Sequence, residues 1–310
     1  MSGRVCRICA AADLTTFLAR ELLTNSGETF LYAHCVTCGC LQILDVPADL
    51  GRFYGGRYGT VRRSWFKQKV RSAGFRLAFP AGPLGRIEGL ILPFVNAGVI
   101  TALREWKVPR TASFLDVGSG TGRFLHALRA VGFNGPLLGI DPFLRADITG
   151  THDVELRRAR IEDIVGSFDV ITLVHSLEHI EGQLQTLSVV RRLLRPQGIC
   201  IISLPLAGGW AWKEYGPDWV QLDPPRHIIL HTPKSFALLA QAANLRVRST
   251  IWDSTAFQFW GSDLAKKRKP ILPLLRSFLR SAWRVPVDAF RAAKLNAAGQ
   301  GDQATFVLSA

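Results

Sequence analysis

Phe114-Leu115-Asp116-Val117-Gly118-Ser119-Gly120-Thr121-Gly122 is the stretch whose reading decides the fold. Ser113-Phe114-Leu115 is a short apolar strand, and Arg123-Phe124-Leu125-His126-Ala127-Leu128 has helical spacing, so the glycines fall in a strand-to-helix turn. Glycine at positions 118, 120 and 122 removes side chains where a ligand must lie against the backbone. The new helix offers unpaired N–H groups at its start, so the ligand is expected to be polar or anionic on one side. A dinucleotide fingerprint, G-x-G-x-x-G, would need glycine where Arg123 stands, which argues against NAD or FAD. Leu137-Leu138-Gly139-Ile140 ends in Asp141, an acid at a strand tip able to accept two hydrogen bonds from a ribose diol.

Four segments then occur in a telling order: Phe114 to Gly122, Gly139-Ile140-Asp141-Pro142, Phe168-Asp169-Val170-Ile171 and Leu194-Arg195-Pro196-Gln197-Gly198. In order and spacing they resemble class I S-adenosylmethionine-dependent methyltransferases, over roughly the last two-thirds of the chain. The resemblance implies an α/β fold with a Rossmann-like, seven-stranded sheet. Coarse reading places its strands near 113–117, 136–141, 154–158, 168–174, 198–203, 245–251 and 304–308. It also implies that Gly118, Gly120 and Gly122 approach the methionine part of S-adenosylmethionine, with Asp116 near the amino group. Asp141 would then hold the ribose, and Ile161, Glu162 or Asp163 would lie beside the adenine.

Nearer the N-terminus, Cys6-Arg7-Ile8-Cys9 and Cys35-Val36-Thr37-Cys38 are two C-x2-C pairs separated so that two knuckles can close on one ion. Four thiolates suit a structural zinc with no open position, and a unit this small folds poorly without a clip; an iron–sulfur cluster or unliganded thiols are the alternatives. Cys40 is left over as a spare thiol, and Cys200, in an apolar run, is read as core. The run from Cys6 to Tyr58 resembles the zinc-binding N-terminal module of bacterial sugar and small-molecule methyltransferases. Ala10 stands where glycine usually follows the second cysteine, a departure that leaves the ligands intact.

The 310 residues accommodate a full α/β core and a smaller module, and the expected division is a zinc-ribbon-like module at 1–46, a basic helical connector at 47–108 and a methyltransferase domain at 109–310. No apolar signal core follows Met1-Ser2-Gly3-Arg4, which predicts a cytoplasmic protein with reduced cysteines, and no run is long enough to span a membrane. The net charge of +14 and pI of about 10.1 suggest an anionic partner, whether nucleic acid, a nucleotide-linked substrate or the inner membrane surface, against a plain solvated basic face. Two stretches concentrate the charge: Arg52 to Arg76, interleaved with aromatics such as Tyr54 and Trp65, and Lys266 to Arg284, whose Arg276, Arg280 and Arg284 share one helical face suited to an interface or a lid.

Two motif matches are set aside. His175-Ser176-Leu177-Glu178-His179 has the H-x-x-E-H spacing of inverted zinc proteases, but it leaves a strand and only then enters a helix. Asp223-Pro224-Pro225-Arg226 lacks the aromatic of an amino-group methyltransferase motif and follows the wrong strand. The acceptor wall is expected from His175, Glu178 and His179, together with the aromatic Trp210, Trp212, Tyr215 and Trp219 and the segment Pro224 to Pro233. His227 is the expected general base, with His175 and His179 as alternates and Arg226 holding substrate, while Thr232 caps a helix beginning at Pro233 and gives His231 a plain structural role. The leading expectation is methyl transfer to a sugar, nucleotide-sugar or other small metabolite. RNA methylation, favoured by the charge, and a zinc-ribbon scaffold with an inactive methyltransferase domain are the alternatives.

Overall fold

The computed structural model of the protein describes residues 4–23, 26–54, 97–151, 153–269, 271 and 284–310. Arg57 to Arg76 of the basic connector, and Arg276 and Arg280 of the second basic stretch, lie outside the described residues.

The N-terminal strands β1 (Leu14–Arg20), β2 (Thr29–Cys35) and β3 (Leu41–Ile43) form an antiparallel meander, followed by a 3-10 turn at Leu50–Tyr54. In chain order there follow α1 (Ala97–Glu105), β4 (Phe114–Val117), α2 (Arg123–Ala130), β5 (Leu137–Ile140), β6 (Ile148–Thr151), β7 (Val154–Arg157) and β8 (Phe168–Val174). The remainder is α3 (Gln183–Leu193), β9 (Leu194–Pro205), α4 (Trp210–Tyr215), β10 (Ile229–Leu230), α5 (Pro233–Ala242), β11 (Arg246–Trp252), α6 (Phe257–Lys266), α7 (Val285–Ala297) and β12 (Gln303–Ser309). The seven strands expected from the sequence all form, and β6 adds an eighth at the edge, giving the order β11-β12-β9-β8-β4-β5-β7-β6. Strands β7, β5, β4, β8 and β9 run parallel, and β12 enters antiparallel between β9 and β11.

Period-two alternation explains how one sheet buries two faces. Leu115, Ile171, Cys200, Ile202 and Phe306 pack with Leu187 and Val190 of α3 and Phe236 and Leu239 of α5. Their neighbours Phe114, Val170, Ile199, Ile201 and Val307 face Ile100 and Leu103 of α1 and Leu125 and Leu128 of α2. Strands covered on both sides carry apolar residues on both faces, which is why β5 reads as a continuous run and β4 as one interrupted only by Asp116. The chain leaves β4 toward β5 and β7 on one side and returns through β8 and β9 on the other. The order therefore reverses between β4 and β8, the crevice where open α/β sheets bind ligands.

The N-terminal sheet is completed by a strand from the far end of the sequence. Strand β10 pairs with β3, Ile229 opposite Gln42 and Leu230 opposite Leu41, to give the order β1-β2-β3-β10. A shared core joins Tyr32, Leu41 and Ile43 to Trp219, Leu222 and Ile228. Burying an aromatic side chain of this kind removes on the order of 200 Å², worth roughly 5 kcal/mol before side-chain entropy is subtracted.

That core corrects one expectation. Trp219 is fully buried and donates its indole N–H to Asp302 Oδ2 at 2.9 Å. Trp212 packs on Phe17 and Trp219, and Trp210 on Tyr215 and Phe259. Trp219 is thus core and not acceptor wall, and the rings beside it pack the segment after β9 against the N-terminal sheet and α6, because an aromatic with one polar handle suits such a seam as well as it suits a substrate. Among the described residues no helix is long and apolar enough to cross a membrane.

Candidate functional site

The turn after β4 is held to the tip of β5: the N–H groups of Gly118 and Ser119 both donate to Ile140 O, and Gly120 N–H donates to Asp141 Oδ2 at 2.9 Å. All three glycines adopt positive φ, at 75°, 53° and 71°, but they serve different ends. A Cβ on Gly118 would meet Ser176 Cβ at 2.5 Å, and one on Gly122 would meet Leu156 Cδ2 at 2.7 Å. A Cβ on Gly120 would meet nothing within 4 Å, so this is the glycine that faces open space. Asp141 is buried and also accepts Phe143 N–H at 2.8 Å, leaving each oxygen a lone pair for a diol.

Asp116 is buried beneath the same turn, where burial pushes its carboxyl up to about 7 against a 2.7 Å hydrogen bond from Thr172 Oγ1 that pulls it down. A buried acid raised this far is relieved by an approaching cation such as an α-ammonium. An open Gly120, the acid at 116 and the strand-tip acid at 141 together fit the methionine and ribose ends of S-adenosylmethionine. Glu162 and Asp163 are exposed on a 3-10 turn following β7, with Ile161 buried beneath them; Asp163 accepts the Arg160 N–H at 3.2 Å.

Against the other side of the crevice, the end of β8 bends through His175 at φ 50° into a 3-10 turn at Leu177–His179. Ser176 Oγ donates to Val117 O at 2.8 Å, which ties this bend to the glycine turn. Glu178 is 1% exposed, and neither carboxylate oxygen has a hydrogen-bond partner. Three imidazoles surround it. His175 Nδ1 lies 3.5 Å from Oε1, and His227 Nε2 lies 4.0 Å from Oε1 and 3.6 Å from Asp223 Oδ2. The His179 ring meets that of His227 edge-on at 4.8 Å.

Burial pushes Glu178 up, but the neighbouring histidines win and hold it at about 2. Burial pushes His175 down, and the Glu178 carboxylate outweighs it, so this imidazole sits above its ordinary range. Burial prevails at His227, which falls to about 4 and is neutral near pH 7. The structure thus brings His175, His179 and His227 together, and Asp223 joins them; a left-handed φ of 44° and a hydrogen bond from Arg226 Nη2 fix that residue. Arg226 is engaged by Asp223 and by Phe53 O. His231, fully buried, bonds Gln183 Oε1 and Ser235 Oγ and serves packing, as its sequence position beside a helix cap implied.

Two of these histidines are held by the N-terminal module. Tyr32 on β2 donates to His227 O at 2.7 Å, and Tyr54 Oη lies 3.3 Å from His179 Nδ1 while its ring stacks on Phe143, next to the Asp141 tip. Sequence reasoning missed both tyrosines as site residues. Their one signal was their place in the segment resembling the zinc module.

In that module, Cys6 and Cys38 Sγ lie 3.6 Å apart, as do Cys9 and Cys35 Sγ, and all four sulfurs fall within 4.8 Å of one another. A tetrahedral zinc with ~2.3 Å bonds sets its sulfurs roughly 3.8 Å apart, so the four fit the ion. Among the described cysteines no disulfide forms. The knuckles are pseudo-equivalent: Ala10 at φ 59° matches Gly39 at φ 78°, so the left-handed residue after each second cysteine is retained even where glycine is not. Cys40, outside the set of four, has its Sγ 3.5 Å from that of Cys6, and this hydrogen bond lowers the Cys6 thiol to about 4. An open cleft of about 550 Å³ lined by Arg20, Asp218 and Arg268 includes none of the glycine-turn or histidine residues.

Residues 95–250, half of the chain, match the model of the family described as a methyltransferase domain. Comparison with curated proteins gives no match. Similar solved structures include a coclaurine N-methyltransferase bound to N-methylheliamine and S-adenosylhomocysteine, at 12% identity over 86% of this chain and 96% of that one, with a TM-score of 0.44. Others are a cyclopropane synthase from Mycobacterium tuberculosis, at 14% identity over 69% and 83% with a TM-score of 0.46, and an S-adenosylmethionine-dependent methyltransferase from Mesorhizobium loti, at 15% over 69% and 98% with a TM-score of 0.41. With its glycine turn, its two carboxylates and its strand order, the chain belongs to the methyltransferase-domain family and is an S-adenosylmethionine-dependent methyltransferase.

Proposed function

We propose that the protein methylates a small metabolite, a sugar or nucleotide-sugar, at a hydroxyl or an acidic carbon, and that Cys6, Cys9, Cys35 and Cys38 hold a structural zinc. The observation carrying this reading is the His175–Glu178 pair at the end of β8, tied through Ser176 to the glycine turn of the adjacent strand. S-adenosylmethionine supplies an electrophilic methyl group on a sulfonium. What the chain must add is alignment and removal of a proton.

Asp116 receives the ammonium, Gly120 leaves room for the backbone of the donor, and Asp141 takes the ribose hydroxyls. His175, about one-third exposed, reaches the acceptor and accepts its proton, and the buried Glu178 carboxylate stabilises the imidazolium that forms. His227 has its Nε2 turned to Glu178 and Asp223 and is only 8% exposed, so we assign it a positioning role in preference to the base role. A sugar acceptor is supported by the resemblance of the cysteine module to that of sugar and small-molecule methyltransferases.

The test is a panel of nucleotide-sugars with methyl-labelled donor. His175→Asn is expected to lower turnover by about 10²-fold or more with donor affinity retained, and undiminished turnover would rule the assignment out. The +14 charge favours RNA as the acceptor instead, and strongly salt-dependent binding of arbitrary RNA together with its methylation would support that reading.

A further inference from the structure

Glu178, His179 and His227 pose a problem that protein groups alone do not solve. The Glu178 carboxylate is 1% exposed and its oxygens accept no hydrogen bond; His175 Nδ1, 3.5 Å from Oε1, is its nearest imidazole and leaves Oε2 without a partner, so the group calls for an ion or another partner. The two imidazoles beside it are set in one way. His227 Nδ1 lies 2.8 Å from Gln221 O, and His179 Nδ1 lies 2.9 Å from Arg226 O. A carbonyl only accepts, so both Nδ1 atoms carry the proton and both Nε2 atoms keep a bare lone pair. At His227 that lone pair faces the carboxylates of Glu178 and Asp223, which repels unless something positive lies between them. Backbone carbonyls that fix the Nδ1 proton and free Nε2 are the usual outer support of metal-binding histidines.

We propose that Glu178, His179 and His227 bind one divalent first-row transition cation of the zinc class. Their ligand atoms all lie within 4.8 Å of one another. Bonds of ~2.1 Å bring such atoms to roughly 3 to 3.5 Å, so the side chains close in by about an ångström when the cation enters. Two imidazoles and one carboxylate leave coordination positions open, unlike the four-cysteine set, and this donor type suits zinc or iron(II) more than magnesium or calcium.

Resting on the methyltransferase reading above, the inference specifies the acceptor further: a compound presenting an oxygen, best a hydroxyl next to a second oxygen, that can bind the open positions. Coordination makes that hydroxyl more acidic. Its proton passes to His175, the oxygen forms a bond to the donor methyl carbon as the methyl–sulfur bond breaks, and sulfur leaves as a neutral thioether.

Metal content of the full chain, reconstituted with Zn²⁺ alone and freed of excess, tests this without any acceptor. Two equivalents per chain are expected. Glu178→Gln and His227→Asn are each expected to retain one, with an unchanged thiolate-to-metal band when Co²⁺ replaces Zn²⁺. The Co²⁺ spectrum also reports whether each variant keeps its folded cysteine site, so a misfolded variant is recognised and replaced by His179→Asn. One equivalent in the wild-type chain, or two in each folded Glu178 and His227 variant, would overturn the inference. Donor binding measured in parallel separates the readings: a bound donor with no second ion sinks only this proposal, and a second ion with no donor affinity sinks the methyltransferase site assignments instead.

Discussion

Three glycines in one turn, each with a left-handed backbone, differ in what surrounds them. Gly122 abuts Leu156 and Gly120 abuts nothing, so the same substitution separates folding from binding. Gly122→Ala is expected to lower stability by several kcal/mol through combined clash and backbone strain, whereas Gly120→Ala costs about 1–2 kcal/mol for the left-handed backbone and weakens S-adenosylmethionine binding severely. Thermal melts and calorimetry with the donor check the pair. Asp116 carries a second residue-scale prediction. Its carboxyl is raised to about 7 in the fold, so the folded state holds a proton that the unfolded chain releases near pH 4. This penalty is absent below the unfolded value, grows as pH rises and is complete above about 7. Asp116→Asn is therefore expected to be more stable than the parent at pH 8 and no more so at pH 4, in melts across that range. Donor affinity should strengthen in the parent as pH rises through about 7 and lose that rise in Asp116→Asn.

At the scale of elements, the start of α5 does two jobs. Thr232 Oγ1 accepts Ser235 N–H as the helix cap, with Pro233 in the first turn, and the same hydroxyl donates to Cys38 O at 2.7 Å. Its methyl group fills the space left by the absent Cβ of Gly39. Thr232→Ala is expected to cost the ~1 kcal/mol of a lost cap plus a similar amount for the unpaired Cys38 carbonyl. If denaturant unfolding shows only the first, the second cysteine knuckle does not depend on α5. The cap was legible in Thr232-Pro233, because capping is a local hydrogen bond within four residues. The bond to Cys38 was not, since 194 residues separate the partners.

For the molecule as a whole, the cysteine module and the histidine cluster are one construction. Strand β10 follows His227 directly and closes the module's sheet, while Tyr32 and Tyr54 reach back to His227 and His179. None of these hydrogen bonds reaches the glycine turn, and only the Tyr54 ring, stacked on Phe143, touches the strand tip beside Asp141. Disabling the cysteine site with Cys35→Ser is accordingly expected to lower methyl transfer by at least about tenfold while leaving S-adenosylmethionine affinity nearly unchanged. Equal losses in both, measured by turnover and calorimetry, would show instead that the module supports the entire fold.

Local signals decided much of this protein. A glycine turn between an apolar strand and a helix needs only neighbouring residues, so residues 114–122 by themselves marked the sheet, and Asp141 its ligand-facing edge. Short apolar runs likewise marked seven of the eight strands of that sheet, missing only the short edge strand β6. The two cysteine pairs declared their own geometry through spacing. Long-range pairing decided the rest: that Trp219 and its neighbours pack the segment after β9 against the N-terminal sheet, that Tyr32 and Tyr54 hold the site histidines, and that Glu178 lies buried among three imidazoles. An aromatic, a histidine or a glutamate takes its role from what surrounds it. Here those surroundings come from segments as much as 195 residues apart, which only the packed chain brings together.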